Sequence, residues 1–470
     1  MGCGPKSQAD FIVQNIQWEP KNPIENDFVT FSITISNIGS GDASTLNPIN
    51  VTLYIDGANF GSNEISSVSA GKSKTVSLLN KWQAVSKCHE IKAVVNSNDI
   101  AKETNKDNNT KSEELCVRNR LIWRRALIDC TVIYSSPVLE EGNIFVASGN
   151  NILFCLNSET GELVWEKSVG IDFHNSSMNT LFSSPTVFDG KVYIHAYDGD
   201  IEGPLSAYLI CLSANSGNLL WKQLVYTWPS SFDSLPYSGS SPAVYNEKVY
   251  LVSGEYLYCF NANDGKLIWK YETNSPVHSS PAFYQGKLYI SLQGIDYLGC
   301  FDAENGKLLW KYKIGEKLGF IPVFYTTAYN GRVYACSLWQ GLYCLNAENG
   351  DLLWKKDNIE WSSRIAYLEV YEKRLYVGTR DVYSFDSDSG TLIWHYVLPN
   401  DCLQSPLTII DRNIYFGSFS GTLYCINADK GTRLRSYKAK GEIWSKPLIY
   451  QDKVYFGARD TVYCISVNDN

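Results

Sequence analysis

The side chains that could do chemistry are few and scattered. Five histidines, His89, His174, His195, His278 and His395, include no two spaced to ligate a metal from one element. The chain has no Gly-x-Ser-x-Gly nucleophile elbow and no phosphate-cradling glycine loop. A general base could be drawn from Asp198 or Asp200, in an insertion that also carries Glu202, or from Asp172 with His174, although acidic surface loops are the plainer reading. Glu103, Asn105 and Asp107 alternate and could offer oxygen ligands to Ca²⁺; a polar hairpin tip has the same composition without metal. The runs Asp386-Ser387-Asp388-Ser389-Gly390 and Asn261-Ala262-Asn263-Asp264-Gly265 look like the opening of a calcium loop, but the closing glutamate is missing. They read as β-turns in which glycine supplies the positive φ.

A more concentrated candidate is a series of positions lying three residues before the proline of a recurring Ser-Ser-Pro or its counterpart: Tyr134, Phe182, Gly239, His278, Tyr325, Trp361, Leu403 and Trp444. Such a ring could stack a flat cofactor, a sugar or a peptide side chain, or its members could pack against their own loops. Arg364 and Lys446 near two strand starts, and Arg380 and Arg459 in loops, would add positive charge.

The elements that must position these residues form an internal repeat. Seven segments share a turn and a strand, as in Asn157-Ser158-Glu159-Thr160-Gly161-Glu162-Leu163-Val164-Trp165, with later endpoints at Trp221, Trp269, Trp310, Trp354, Trp394 and Arg435. A period near 40 residues, holding several short strands and no amphipathic helix, is that of a four-stranded propeller blade with strands a, b, c and d. The final unit lacks a d strand, and Leu121-Ile122-Trp123-Arg124-Arg125 carries the tryptophan of one, which predicts eight blades closed by pairing the first strand with the last three. One tryptophan per blade in a fixed register points to packing between blades. Cys155, Cys211, Cys259, Cys300, Cys344, Cys425 and Cys464 obey the same register and read as small core residues, since Ser384 takes their place in one unit.

Residues 8–117 read differently. Alternating runs such as Phe28-Val29-Thr30-Phe31-Ser32-Ile33-Thr34-Ile35 predict a β-sandwich. Its Ser36-Asn37-Ile38-Gly39 and Asn105-Lys106-Asp107-Asn108-Asn109-Thr110 resemble the CARDB family, immunoglobulin-like modules of archaeal and bacterial surface proteins. A hairpin centred near Lys102 would set Cys88 opposite Cys116, which predicts a disulfide, with two buried thiols as the alternative. The expected organisation is therefore all-β: a tail at 1–7, a CARDB-like sandwich at 8–117 and a propeller at 118–470.

The repeats resemble the PQQ-like propellers of quinoprotein alcohol dehydrogenases and of the outer-membrane-assembly lipoproteins. For the enzymes, the resemblance implies PQQ held with Ca²⁺, a carboxylate base and adjacent cysteines against the cofactor. This chain has no Cys-Cys pair and no Cys-x-x-Cys-His for a haem. No cofactor is expected, PQQ with calcium being the alternative. A net charge of −8 argues against a nucleic-acid partner, and no apolar stretch approaches the length of a spanning helix. Cys3, set between glycines, resembles the start of a mature lipoprotein, the alternative being an ordinary surface cysteine. Asn50, Asn108 and Asn175 lie in glycosylation triplets. The expected function is an extracytoplasmic or cell-surface scaffold that binds another protein through the propeller face; the alternatives are a PQQ- and calcium-dependent dehydrogenase and a glycan-binding surface protein.

Overall fold

The computed structural model describes residues 8–467 apart from 22, 24, 26, 97–100, 118, 128–131, 171–182, 200–204, 229–239, 275–276, 278–279, 293–296, 315–324, 338–340 and 358–365, and gives the backbone alone for 43–47, 199, 228, 325 and 337. The chain divides into two compact units, one ending at Arg120 and one spanning Leu121–Val467.

The first unit is a sandwich of two antiparallel sheets. One contains Phe11–Glu19, Phe28–Asn37, Ser73–Ser77 and Trp82–Gln83; the other orders Ala58–Val68, Ala43–Ile55, Cys88–Val95 and Thr110–Cys116. Alternation puts Val29, Phe31, Ile33 and Ile35 inside, against Val51, Leu53, Ile91, Ala93 and Val95 of the facing sheet. Asn37 is buried within the Ser-Asn-Ile-Gly signature. Its Nδ2 donates to Gly41 O and Val68 O, both at 2.9 Å, while its Oδ1 accepts from the Asp10 and Gly39 amides. One amide thus satisfies four backbone groups where two chain segments meet, a role in which an apolar residue would strand all four. Cys88 and Cys116 are register partners and are joined by a disulfide.

The second unit contains eight four-stranded antiparallel sheets among the described residues. Seven are built from consecutive strands, such as Ala282–Tyr284 (a), Lys287–Leu292 (b), Tyr297–Asp302 (c) and Leu308–Lys313 (d). The eighth joins Leu448–Tyr450, Lys453–Ala458 and Thr461–Ser466 to Leu121–Ala126, with Cys464 opposite Trp123.

Neighbouring sheets interlock through the repeat's own residues. The indole Nε1 of Trp123, Trp165 and Trp394 donates at 2.9 Å to the turn carbonyls of Ser158, Ala214 and Ala428 in the next sheet. Each ring lies on the glycine of that same turn: a Cβ on Gly306 would come within 2.5 Å of the Trp269 ring. Glycine is required there twice over, for its φ of 72° and for the indole's closeness. The exception explains itself. The seventh sheet's strand d faces an eighth sheet whose own strand d comes from the start of the unit, so the usual c-to-d turn and its glycine are missing. Arg435 stands in place of tryptophan, and its guanidinium donates instead to Val467 O.

The register cysteines face these tryptophans from strand c, with Cys155 opposite Trp165 and Cys300 opposite Trp310. Burial pushes the thiols of Cys155, Cys211, Cys259, Cys300, Cys344 and Cys464 up to about 12, so they stay protonated and unreactive.

Candidate functional site: the channel-mouth face

The loops joining d to a and b to c are stitched together on one face. Leu403 N donates to Arg380 O and Phe419 N to Cys402 O, both at 2.9 Å, and Arg459 N donates to Glu442 O at 3.0 Å. A serine chain fixes the inner strand starts. Lys446 N donates to Ser136 Oγ, Ser136 N to Ser184 Oγ, Ser184 N to Ser241 Oγ and Ser241 N to Ser280 Oγ, at 2.8 to 3.1 Å. The second serine of each Ser-Ser-Pro therefore reaches back to the preceding sheet and sets the angle between inner strands.

The structure brings together part of the expected ring. Tyr134 and Trp444 form an edge-to-face pair with centroids 5.6 Å apart, and Trp444 Nε1 donates to Glu442 at 3.0 Å. Lys446 Nζ bonds Glu369 at 2.7 Å, a contact from the eighth sheet to strand a of the sixth that passes the seventh. Phe182, His278, Trp361 and Arg364 lie outside the described residues, as do Cys3 and Asn175.

Tyr325 needs correcting. It opens the five-residue strand Tyr325–Tyr329, four residues before the hairpin, where the first sheet has Ser136 before Glu140. It stands in the second-serine position, two residues further into the strand than Tyr134. The fifth sheet has no Ser-Ser-Pro, so the sequence offers no anchor for the count. Tyr367 holds the same place in the sixth sheet, where its hydroxyl donates to Gln404 O at 3.0 Å. Leu403 is buried and bridges to Ser418 rather than facing the mouth.

Sequence reasoning passed over a cleft of about 350 Å³ between the sixth and seventh sheets, lined by Arg380, Asp401, Cys402, Leu403, Phe419 and Ser420 among others. Asp401 organises it: Oδ1 accepts from the Cys402 and Ser420 amides, and Oδ2 from Ser420 Oγ at 2.7 Å and Tyr424 OH at 3.1 Å. Burial works to raise its pKa, yet the bonds from Ser420, Ser418 and the backbone hold it below the usual carboxylate range. The signal that could have found the cleft is positional. Arg380, Phe419 and Arg459 each lie two residues after a strand-b glycine, at Gly378, Gly417 and Gly457, in consecutive sheets.

Asp172, His174, Asp200, Glu202 and Gly239 also lie outside the described residues, while several other sequence candidates have structural partners. His195 is fully buried, with Nε2 against Ser253 Oγ at 3.1 Å, and burial lowers its pKa to about 4. His395 stacks on Tyr383 and meets Asp381 at 3.0 Å. In the sandwich, Glu103 accepts from the Phe11 amide and from Asn96 and Asn109, while Asn105 accepts from the Asp107 amide as an Asx turn. Asn108 Nδ2 donates to Asp10 at 2.9 Å, and Asn50 sits in strand Ala43–Ile55 opposite Glu64. The one group of three side chains among the described residues with metal-ligand spacing is Cys88, Glu114 and Cys116, whose two sulfurs are already joined.

Comparison with known proteins matches residues 8–113 to the CARDB family. Residues 117–203, 205–296, 295–408 and 380–469 match the family described as outer membrane protein assembly factor BamB. The chain is 36% identical over 70 residues to such a factor from Alkalilimnicola ehrlichii, covering 14% of this chain and 18% of that protein. It is 25% identical over 134 residues to a quinohemoprotein alcohol dehydrogenase of Comamonas testosteroni, covering 28% of this chain and 17% of that enzyme. These alignments span under a fifth of either relative. Among solved structures, BamB from Moraxella catarrhalis superposes with a TM-score of 0.54 at 16% identity, over 74% of this chain and 99% of that one, a likeness of fold.

Proposed function

Because the chain belongs to the BamB family of propellers over residues 117–469 and carries a CARDB domain at 8–113, we propose that it is a non-catalytic extracytoplasmic or cell-surface protein whose channel-mouth face holds a protein partner. In this reading the sandwich is a spacer or a second adhesive module, and Cys3 carries a lipid anchor.

The observation that carries the reading is how the mouth's carboxylates are used. Glu369 is bonded to Lys446, Asp401 accepts four hydrogen bonds, and Glu442 accepts from Trp444. A quinone cofactor with Ca²⁺ needs carboxylate oxygens for the ion and one more as a base. That these three carboxylates already have protein donors supports a face that recognises a protein over one that holds such an ion. What the face leaves exposed is recognition chemistry: the aromatic and cationic side chains of Phe419, Arg380 and Arg459 on the b-to-c loops.

The test is a photo-cross-linking amino acid placed at Phe419, at Trp444 and, on an outer strand, at Leu220, in cells that make the protein. Adducts with a discrete protein from the mouth positions, and none from Leu220, are expected. Adducts confined to Leu220 would overturn the reading, as would saturable tryptophan quenching by PQQ and Ca²⁺ accompanied by dye-linked alcohol oxidation.

A further inference from the structure

Arg380, Phe419 and Arg459 occupy equivalent loop positions on the sixth, seventh and eighth sheets, and all three side chains are exposed, Phe419 at 52%. Neither arginine has an ion-pair partner among the described residues. The acidic groups around them are engaged locally. Asp381 bonds His395 and the Leu398 amide, Asp401 has its four donors, Asp460 accepts from Thr461, and Glu442 accepts from Trp444. The loop order is therefore cation, aromatic, cation, beside a cleft whose wall is the buried Leu403.

From this arrangement we infer that these three sheets bind an extended peptide segment in which carboxylates flank an apolar side chain. A planar guanidinium presents five donors in a fork that suits a carboxylate, and two such forks either side of a phenyl face select acid, apolar, acid over any other order. Phe419 supplies the apolar contact, and Arg380 and Arg459 the ends. Asp401 accepts from Ser420, Tyr424 and Cys402 and forms no ion pair with Arg380 among the described residues, so the guanidinium is left for a ligand. The inference rests on the protein-binding reading of the mouth and deepens it by giving the partner's chemistry.

The experiment is fluorescence anisotropy of the full chain with three labelled peptides: alternating Asp and Phe, alternating Lys and Phe, and alternating Asp and Ser. Saturable, salt-sensitive binding of the Asp-Phe peptide alone is expected. Arg380→Ala and Arg459→Ala should each weaken it about tenfold, and Phe419→Ser should erase the preference over Asp-Ser. All three residues are exposed, so the variants should keep the parent melting temperature, which is checked alongside. Equal binding of the Lys-Phe peptide, no binding of the Asp-Phe peptide, or binding indifferent to both arginine variants overturns the inference. Mouth cross-links to a protein together with any of these outcomes would sink the acidic-peptide assignment and leave the binding platform standing. Absent mouth cross-links would remove the platform itself.

Discussion

His195 lies in strand Lys191–Gly199 with its ring fully buried, 5.0 Å from the Tyr197 ring centroid and hydrogen-bonded to Ser253 of the next sheet. Burial lowers its pKa from 6.5 to about 4, the main chain of Ser240 offsetting this only in part. A base with a depressed folded pKa is less protonated in the fold than in the unfolded chain, so stability is complete above about 6.5 and drains as pH falls toward 4. The gap of two and a half pH units at 1.36 kcal/mol each is worth about 3 kcal/mol in full, with about 1 kcal/mol gone by pH 6 and about 2 by pH 5. Eleven of the thirteen tryptophans lie beyond residue 120, so urea unfolding followed by their fluorescence reports mainly on the propeller. The comparison is between wild type and His195→Gln, with His195→Asn as a second variant. Either variant lowers the plateau through lost packing, but the difference between wild type and variant should shrink by about 2 kcal/mol from pH 7 to pH 5. A difference that stays constant over that range would refute the claim that His195 is held neutral between the sheets.

Gly306→Ala should cost about 2 to 4 kcal/mol, because its Cβ meets the Trp269 ring. Gly286→Ala has nearly the same φ, 73°, and open space, so the backbone penalty of about 1 kcal/mol alone is expected; thermal melts of the pair separate clash from strain. Restoring the repeat's consensus with Arg435→Trp should lower the melting temperature, since the eighth sheet has no turn glycine to receive an indole and Val467 O loses its donor. Replacing Cys88 and Cys116 together by serine should destabilise the sandwich by about 2 to 4 kcal/mol by freeing a 28-residue loop, measured as urea-dependent protease sensitivity below residue 120. Maleimide labelling of the folded protein should modify the half-buried Cys402 well before Cys155, Cys211, Cys259, Cys300 or Cys344, as read by peptide mass.

The repeat was legible because each sheet must solve the same packing problem: a tryptophan, a glycine and a small strand-c residue recur wherever one sheet docks on the next. Trp123 was readable as the eighth sheet's outer strand for the same reason, whereas the meaning of Arg435, at the one junction without a turn to dock on, came only with the structure. The mouth was less legible, because its residues face solvent and owe their positions to strand register rather than to a shared packing demand. Counting from Ser-Ser-Pro gave Tyr134 and Trp444 the same position, and their rings meet, but the count misplaces Tyr325, where the motif is missing and only the hairpin fixes the register. Lys446 was found without Glu369, since nothing in sequence announces an ion pair that passes over an intervening sheet. Phe419 and the Asp401 cleft were missed because their one signal, the place two residues after the strand-b glycine, carries no residue type that repeats from sheet to sheet.

The pairing of Leu121–Ala126 with Thr461–Ser466 has a consequence for how the molecule comes into being. Strand Leu121–Ala126 emerges from the ribosome before any other part of the propeller, yet its partner is made more than three hundred residues later. At about 5 to 20 residues per second that wait is on the order of half a minute, during which Leu121, Ile122 and Trp123 have no sheet to join. Closing so long a loop is also a slow step in its own right. The sandwich ahead of it faces no such delay, because the strands that pair in its two sheets all lie between Phe11 and Cys116. Synthesis should therefore pass through a state with a finished N-terminal module and an open ring, and the period of greatest exposure to proteases and to aggregation ends with the arrival of the final strand.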